Sequence, residues 1–121
     1  MRTVVVAASS GLGRCIGVGL AQRGDEVALL ARRLDRLESA AAEGGEHAHP
    51  IACDVTDEAS CKAAIAEAAE TLGGIDGLVY APAIGPLAKL ADIDAATWGR
   101  VFETNVTGAA LITAAAIDHL E

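Results

Sequence analysis

The sequence predicts an α/β fold in which a parallel sheet is covered by helices on both faces. Three observations carry that prediction. Short apolar runs alternate four times with longer, alanine-rich runs of helical period. No linker, low-complexity segment or charge block divides the 121 residues, and no repeat is present beyond the alternation itself, so they read as one domain. A glycine-rich turn stands where the first strand hands over to the first helix. Strands separated by helices pair in parallel through right-handed crossovers.

Residues 3–8 form a compact apolar run bounded by Ser-Ser-Gly, a buried strand. A helix follows over 13–24, with Leu12, Ile16 and Leu20 recurring every four positions as its inner face. Residues 26–31 (EVALLA) make a second strand after a Gly-Asp turn. Leu34, Leu37 and Ala41 give the next helical stripe, which Gly44-Gly45 ends. A third strand is expected over 49–52. Thr56 is then the candidate N-cap, with Asp57 and Glu58 placed to complement the helix dipole. Cys61, Ile65, Ala68 and Leu72 form that helix's inner face, and Gly73-Gly74 closes it. Residues 77–81 are the fourth strand, followed by a Pro/Gly-rich loop through Pro86. Asp94 caps a last helical stretch, with a break expected near Gly108.

Composition narrows the function classes. With 52% hydrophobic and 21% charged residues, the chain has enough apolar material to fold. Its aromatics are Tyr80, Trp98 and Phe102, so the core falls to Val, Leu, Ile and Ala. A net charge of −8 argues against nucleic acid or an anionic membrane as partner, since both select basic patches. Cys15, Cys53 and Cys61 are odd in number and lack CxxC spacing, which fits a reducing cytosol. No signal-peptide core and no run approaching the ~20 apolar residues of a membrane span is visible, so a cytoplasmic protein is expected.

The chemistry-bearing segment is Ser9-Ser10-Gly11-Leu12-Gly13. A glycine turn there lets backbone approach a pyrophosphate, while the helix start offers free N–H groups and partial positive charge. The literal G-x-G-x-x-G pattern fails, because Ile16 holds the last glycine position, and a tight strand–helix connection is the other reading. At the end of the second strand, an acid would bind a ribose 2′-hydroxyl, whereas Arg accommodates a 2′-phosphate. Arg32-Arg33 stands there, with no acid until Asp35. A helix start suits a basic pair poorly on dipole grounds, which favours an anion partner, and NADP over NAD. A solvated pair is the alternative.

At this point the chain resembles the short-chain dehydrogenases/reductases. The likeness rests on 6–13 (VAASSGLG) against that family's TGxxxGxG, on Arg14, and on 28–37 (ALLARRLDRL). It continues through 53–57 (CDVTD), 74–79 (GIDGLV), Trp98 and 105–108 (NVTG), in the family's order and spacing across essentially the whole chain. The resemblance implies a Rossmann-like sheet in the order 3-2-1-4, truncated before the later strands, with residues 1–121 as an NAD(P)-binding domain. It also implies that Ser9, Ser10, Gly11, Leu12 and Gly13 wrap the cofactor's phosphates and adenosine ribose, and that Arg32 faces the 2′-phosphate. Asp54 and Val55 would border the adenine, with Asp54 accepting from its amino group. Ala81 would lie along the nicotinamide-side ribose. Asn105 matches the family's helix asparagine, which helps hold a water-linked proton relay.

Three departures stand out. Ala7 replaces the family's opening glycine; a positive φ there would cost about 1–2 kcal/mol, whereas a mere need for closeness would make its methyl weaken binding. The family's NNAG reads Tyr80-Ala81-Pro82-Ala83, which loses two side-chain amides and, at Pro82, a backbone donor. The family's catalytic serine and Tyr-x-x-x-Lys pair follow the segment present here. Tyr80 has Ile84 four residues on, so it cannot play that part, and the chain alone is expected to be inactive on a carbonyl or alcohol. The alternative is a non-catalytic dinucleotide-binding or partner-binding module. An exposed sheet edge, or the last helix, would favour a homo-oligomer.

Other chemistry finds little support. His47 and His49 sit in an expected loop near Cys53 without four-ligand zinc spacing, and no metal site is expected. The Gly-Lys-Ser/Thr ending of an ATP- or GTP-binding loop is absent. Cys15 is expected to face the sheet as a small hydrophobe.

Overall fold

In the computed structural model, which describes residues 1–120, the first apolar run becomes strand β1 (Arg2–Val6), and helix α1 (Gly11–Gln22) follows its glycine turn. The chain continues through β2 (Glu26–Ala31), α2 (Leu34–Gly44), β3 (Ala48–Ala52), α3 (Glu58–Leu72) and β4 (Gly77–Tyr80). A short 3₁₀ turn (Leu90–Asp92) precedes α4 (Ala95–Phe102), a widened π-turn (Glu103–Thr107) and α5 (Gly108–Ala116). All pairings are parallel, as the strand–helix alternation predicts, and the strand order is β3-β2-β1-β4, as the family resemblance implies.

Both faces of the sheet are covered, which explains why its strands read as unbroken apolar runs rather than alternating ones. Val4, Val6, Ala28, Leu30 and Ile51 point to the side of α3 and α5, where Ile65, Ala68, Ile112 and Ala116 are buried. Val5, Val27, Leu29 and Ala31 point to the other side, where Val18, Ala21, Leu37 and Ala40 complete a second core. The predicted inner face of α3 is confirmed, since Cys61, Ile65, Ala68 and Leu72 are all buried.

Helix α1 corrects the expectation for its face. Gly13, Gly17, Val18 and Ala21 lie against the sheet, while Ile16 and Leu20 are only half-buried and Leu12 is 73% exposed. The reason is distance: a Cβ on Gly17 would lie 2.5 Å from Leu29 Cδ2, so α1 crosses too close for large side chains. Cys15, expected toward the sheet, is exposed on the outer side. In α2, Leu37 and Ala40 are buried while Leu34 is exposed.

Two further expectations shift. The N-cap of α3 is Asp57, whose carboxylate accepts from Ala59 N and Ser60 N, while Thr56 turns back to Asp54. The third strand starts at Ala48, one residue before the expected His49, and the Glu26 carboxylate meets His47 Nδ1 at 2.6 Å and His49 Nε2 at 2.8 Å. Asp94 caps α4 as expected, accepting from Thr97 N at 2.8 Å. The break near Gly108 takes the form of the π-turn, with no gap in helical backbone. Just before β4 in the chain, Ile75 makes an isolated parallel bridge to Leu120.

Candidate cofactor cleft

The strands end together on one edge of the sheet, and β1 and β4 part there because their following helices go to opposite faces. Such a crevice is where open α/β sheets hold ligands. A cleft of about 730 Å³ opens at this point, within the range of small-molecule sites. Its walls include Ser9 to Gly13, Arg32 and Arg33, Cys53 to Thr56, and Ala81 to Ile84, with Arg100, Glu103 and Thr104 from the last helical run. Every residue to which the resemblance assigned a cofactor contact lines this one cleft: Ser9, Ser10, Gly11, Leu12, Gly13, Arg32, Asp54, Val55 and Ala81.

The turn after β1 is tightly built. Ala7 adopts φ +69°, the left-handed region that an L-residue enters only at a cost, and Gly11 follows at +59°. The positive φ that makes an alanine costly at this position is therefore present. The backbone N–H groups of Ala7 and Ala8 both donate to Leu30 O, at 2.7 and 3.1 Å, which binds the turn to β2. Ser10 has the extended backbone of an N-cap, yet its hydroxyl makes no capping bond. The first N–H groups of a helix lack intrahelical partners, and here no Ser10 cap satisfies them.

Asp54 anchors the second wall. Its Oδ1 accepts from Thr56 N at 3.0 Å and from Thr56 Oγ1 at 2.7 Å, and these bonds hold its carboxyl below the usual carboxylate range. Arg32 adds a smaller attraction across the cleft. Both Arg32 and Arg33 are exposed, and Arg33 occupies the N-cap position of α2, with Nε 4.0 Å from Asp35 Oδ1. Cys53 belongs to this wall and Cys61 is buried nearby in α3. Burial raises both thiols, Cys53 to about 12, so both are poor nucleophiles at neutral pH.

Asn105 is the one predicted site residue outside the lining of the cleft. It lies in the π-turn, where its Oδ1 accepts from Ile84 N and its Nδ2 donates to Ile84 O, each at 2.8 Å. The side chain thus grips the loop after β4. Tyr80 is a half-buried phenol whose hydroxyl donates to Thr104 O at 2.6 Å, and burial pushes its pKa up to about 12. Sequence reasoning missed the wall supplied by Arg100, Glu103 and Thr104. The regular spacing of 100 and 104 on one helix was the available signal, but nothing local said that this face turns toward the cleft.

No group of three or more His, Cys, Asp or Glu side chains among the described residues is arranged to hold a metal ion. No helix among them is long and apolar enough to cross a membrane.

Comparison with known proteins decides the family. Residues 2–121 match the short chain dehydrogenase family. The chain belongs to that family. It is similar to a cis-4-hydroxycyclohexanecarboxylate dehydrogenase of Sinomonas cyclohexanicum, at 38% identity over 97% of this chain and 48% of that protein. Among solved structures, an alcohol dehydrogenase from the archaeon Thermococcus sibiricus, complexed with 5-hydroxy-NADP, superposes with a TM-score of 0.90 at 28% identity. That match covers 97% of this chain and 52% of the other. A 3-ketoacyl-(acyl-carrier-protein) reductase from Brucella melitensis, complexed with NADH, gives 0.91 at 28% identity, covering 97% of this chain and 48% of that one. The chain thus spans about half the length of the relatives it matches.

Proposed function

We propose that residues 1–121 form the dinucleotide-binding domain of an NADP-preferring short-chain oxidoreductase that acts on a carbonyl or alcohol in the cytoplasm. The observation that carries this reading is the convergence of the strained Ala7–Gly13 turn, Arg32, Asp54 and Ala81 on one cleft at the carboxyl ends of the strands. The cradle suits a diphosphate. Gly13 has no side chain, and a Cβ there would strike the Ala7 carbonyl, so backbone rather than side chain forms the floor.

Each wall then has a task. The N–H groups at the start of α1 face the phosphates, with Ser9 and Ser10 beside them. Arg32 meets the 2′-phosphate. The neighbours divide on this point, one holding an NADP derivative and one NADH, so the preference rests on Arg32 and Arg33. Asp54 and Val55 border the adenine, and Ala81 the second ribose. When bound, the nicotinamide supplies hydride chemistry. Asn105 serves by holding Ile84, and hence the loop that borders this end of the cleft. Tyr80 is not the acid–base group: it is the only tyrosine, burial keeps it neutral, and its hydroxyl is engaged by Thr104.

Titrating the purified chain with NADPH and NADH, followed by nucleotide fluorescence and calorimetry, tests the reading. Saturable binding is expected, tighter for NADPH. Arg32→Ala should weaken NADPH about 10-fold or more, the range of a hydrogen bond to a charged group, and leave NADH nearly unchanged. A folded chain that binds neither nucleotide sinks the reading.

A further inference from the structure

Tyr80 ends β4 in register with Val6, level with the start of the strained turn. Its side chain leaves the sheet on the α3/α5 side, where it packs with the core and reaches the helical run opposite. Two contacts and one irregularity of the helix meet there. The hydroxyl donates to Thr104 O at 2.6 Å. A Cβ on Gly108 would collide with that same hydroxyl oxygen, so Gly108 is the space the phenol needs. Between these two positions the helix is widened into the π-turn 103–107, an uncommon geometry that is frequent at functional sites.

One residue beyond Thr104, Asn105 reaches out of that turn and grips both backbone groups of Ile84. Ile84 and the residues before it, Ala81 to Ala83, line the cleft. A continuous path therefore runs from the end of β4, through one phenol and one carbonyl, to Asn105, and back to the loop leaving β4. A half-buried hydroxyl needs such a partner, and a phenylalanine could fill the space without making the bond.

We propose that Tyr80 is a positioning residue for the β4-side wall of the cleft: by holding Thr104 it fixes the π-turn from which Asn105 sets the loop at 81–84. The proposal rests on the dinucleotide reading for its consequence, since that wall is where the nicotinamide half would lie. The adenosine half is bordered by Arg32, Asp54 and Val55, which Tyr80 does not touch through this path.

The test uses Tyr80→Phe in the 121-residue chain, with two readouts. In amide NMR spectra the Asn105 side-chain pair should be protected in the unsubstituted chain and should exchange faster in the variant, while Gly13 and other α1 signals stay put. In titrations, the variant should bind the preferred dinucleotide about 3- to 10-fold more weakly, the worth of one neutral hydrogen bond. It should bind the matching adenosine phosphate (2′,5′-ADP or ADP) as before. Equal weakening of both ligands, or an unmoved Asn105 signal, overturns the proposal. If the variant does not fold, a fluorine label on this single tyrosine of the unsubstituted chain decides. Its signal should shift with the dinucleotide and not with the adenosine phosphate, and a signal indifferent to a bound dinucleotide overturns the proposal. A folded, unsubstituted chain that binds no dinucleotide removes the dinucleotide reading and the proposed consequence together, whereas the first two outcomes leave that reading standing.

Discussion

The carbonyl oxygen of Ala7 fills the space that a side chain on Gly13 would need. The two residues close the turn from opposite ends: one enters the left-handed region to aim its carbonyl inward, and the other leaves room for it. Ala81 Cβ would also stand 3.3 Å from such a side chain, so the same gap sets how near β4 lies to α1. Backbone cannot rotate aside as a long side chain can. Gly13→Ala is therefore expected to destabilise the chain by about 1–3 kcal/mol, the range of an overpacked site, and to weaken nucleotide binding. Urea unfolding and the NADPH titration check the two halves. An unchanged midpoint would show that the turn relaxes freely.

Ala7 itself makes the opposite case. A non-glycine residue at φ +69° carries about 1–2 kcal/mol of steric cost, of which glycine's greater unfolded-state freedom returns part. Ala7→Gly is expected to raise stability by about 0.5–1 kcal/mol. The removed methyl also widens the cleft floor, so nucleotide affinity should rise or hold. Thermal and urea denaturation of the two chains give the answer, and a loss of stability would mean that the alanine methyl packs more than it strains.

These two residues also show what the sequence made legible. The strand–helix alternation, the glycine turn and the Arg pair follow from local patterns, whereas the strand order and the walls at Asp54, Val55 and Ala81 came from the family resemblance. What local patterns hid was close approach. Leu12, Ile16 and Leu20 have the spacing of an inner face, yet α1 sits so near Leu29 that glycines take that face and Leu12 goes to the cleft. The pairing of His47 and His49 with Glu26 is hidden in the sequence because that partner is more than twenty residues away. Asn105 was found by resemblance, but its grip on Ile84 depends on a π-turn that no composition announces.

At the opposite edge of the sheet from the cleft, Arg2 and Asp76 join the start of β1 to the residue before β4. Arg2 N and Nε donate to Asp76 Oδ2 at 2.8 and 3.0 Å, and a guanidinium nitrogen reaches Oδ1 at 2.8 Å. These bonds hold the Asp76 carboxyl far below its ordinary value of 3.8. A depressed carboxyl stabilises the fold above its unfolded pKa, and that contribution disappears as pH falls through the folded value. Asp76→Asn is expected to lower the melting temperature at pH 7 and to flatten its dependence on pH below about 4, where the unfolded carboxyl titrates. A melting curve as steep in acid as that of the unsubstituted chain would assign the acid loss elsewhere.

The Glu26 clamp should shape stability at milder pH, with two arms of opposite sign. The bond to His49 first, and that to His47 next, lower the Glu26 pKa from its ordinary 4.5, so this arm stabilises above about 4.5 and is lost as pH falls through the lowered value. Glu26 in turn raises His47 above its ordinary 6.5, so that arm is complete below 6.5 and is lost as pH rises through the raised value. Both arms are therefore present together between about pH 4.5 and 6.5. Glu26→Gln keeps the shape and removes the charge. The unsubstituted chain should gain most in melting temperature over the variant inside that window, and the gain should shrink on both sides. Because the three side chains are partly exposed, the gain should also fall in 1 M salt, where charges are screened within about 3 Å. A difference between the two chains that stays constant from pH 4 to 9 would mean that the charge coupling between Glu26 and His47 adds nothing to stability.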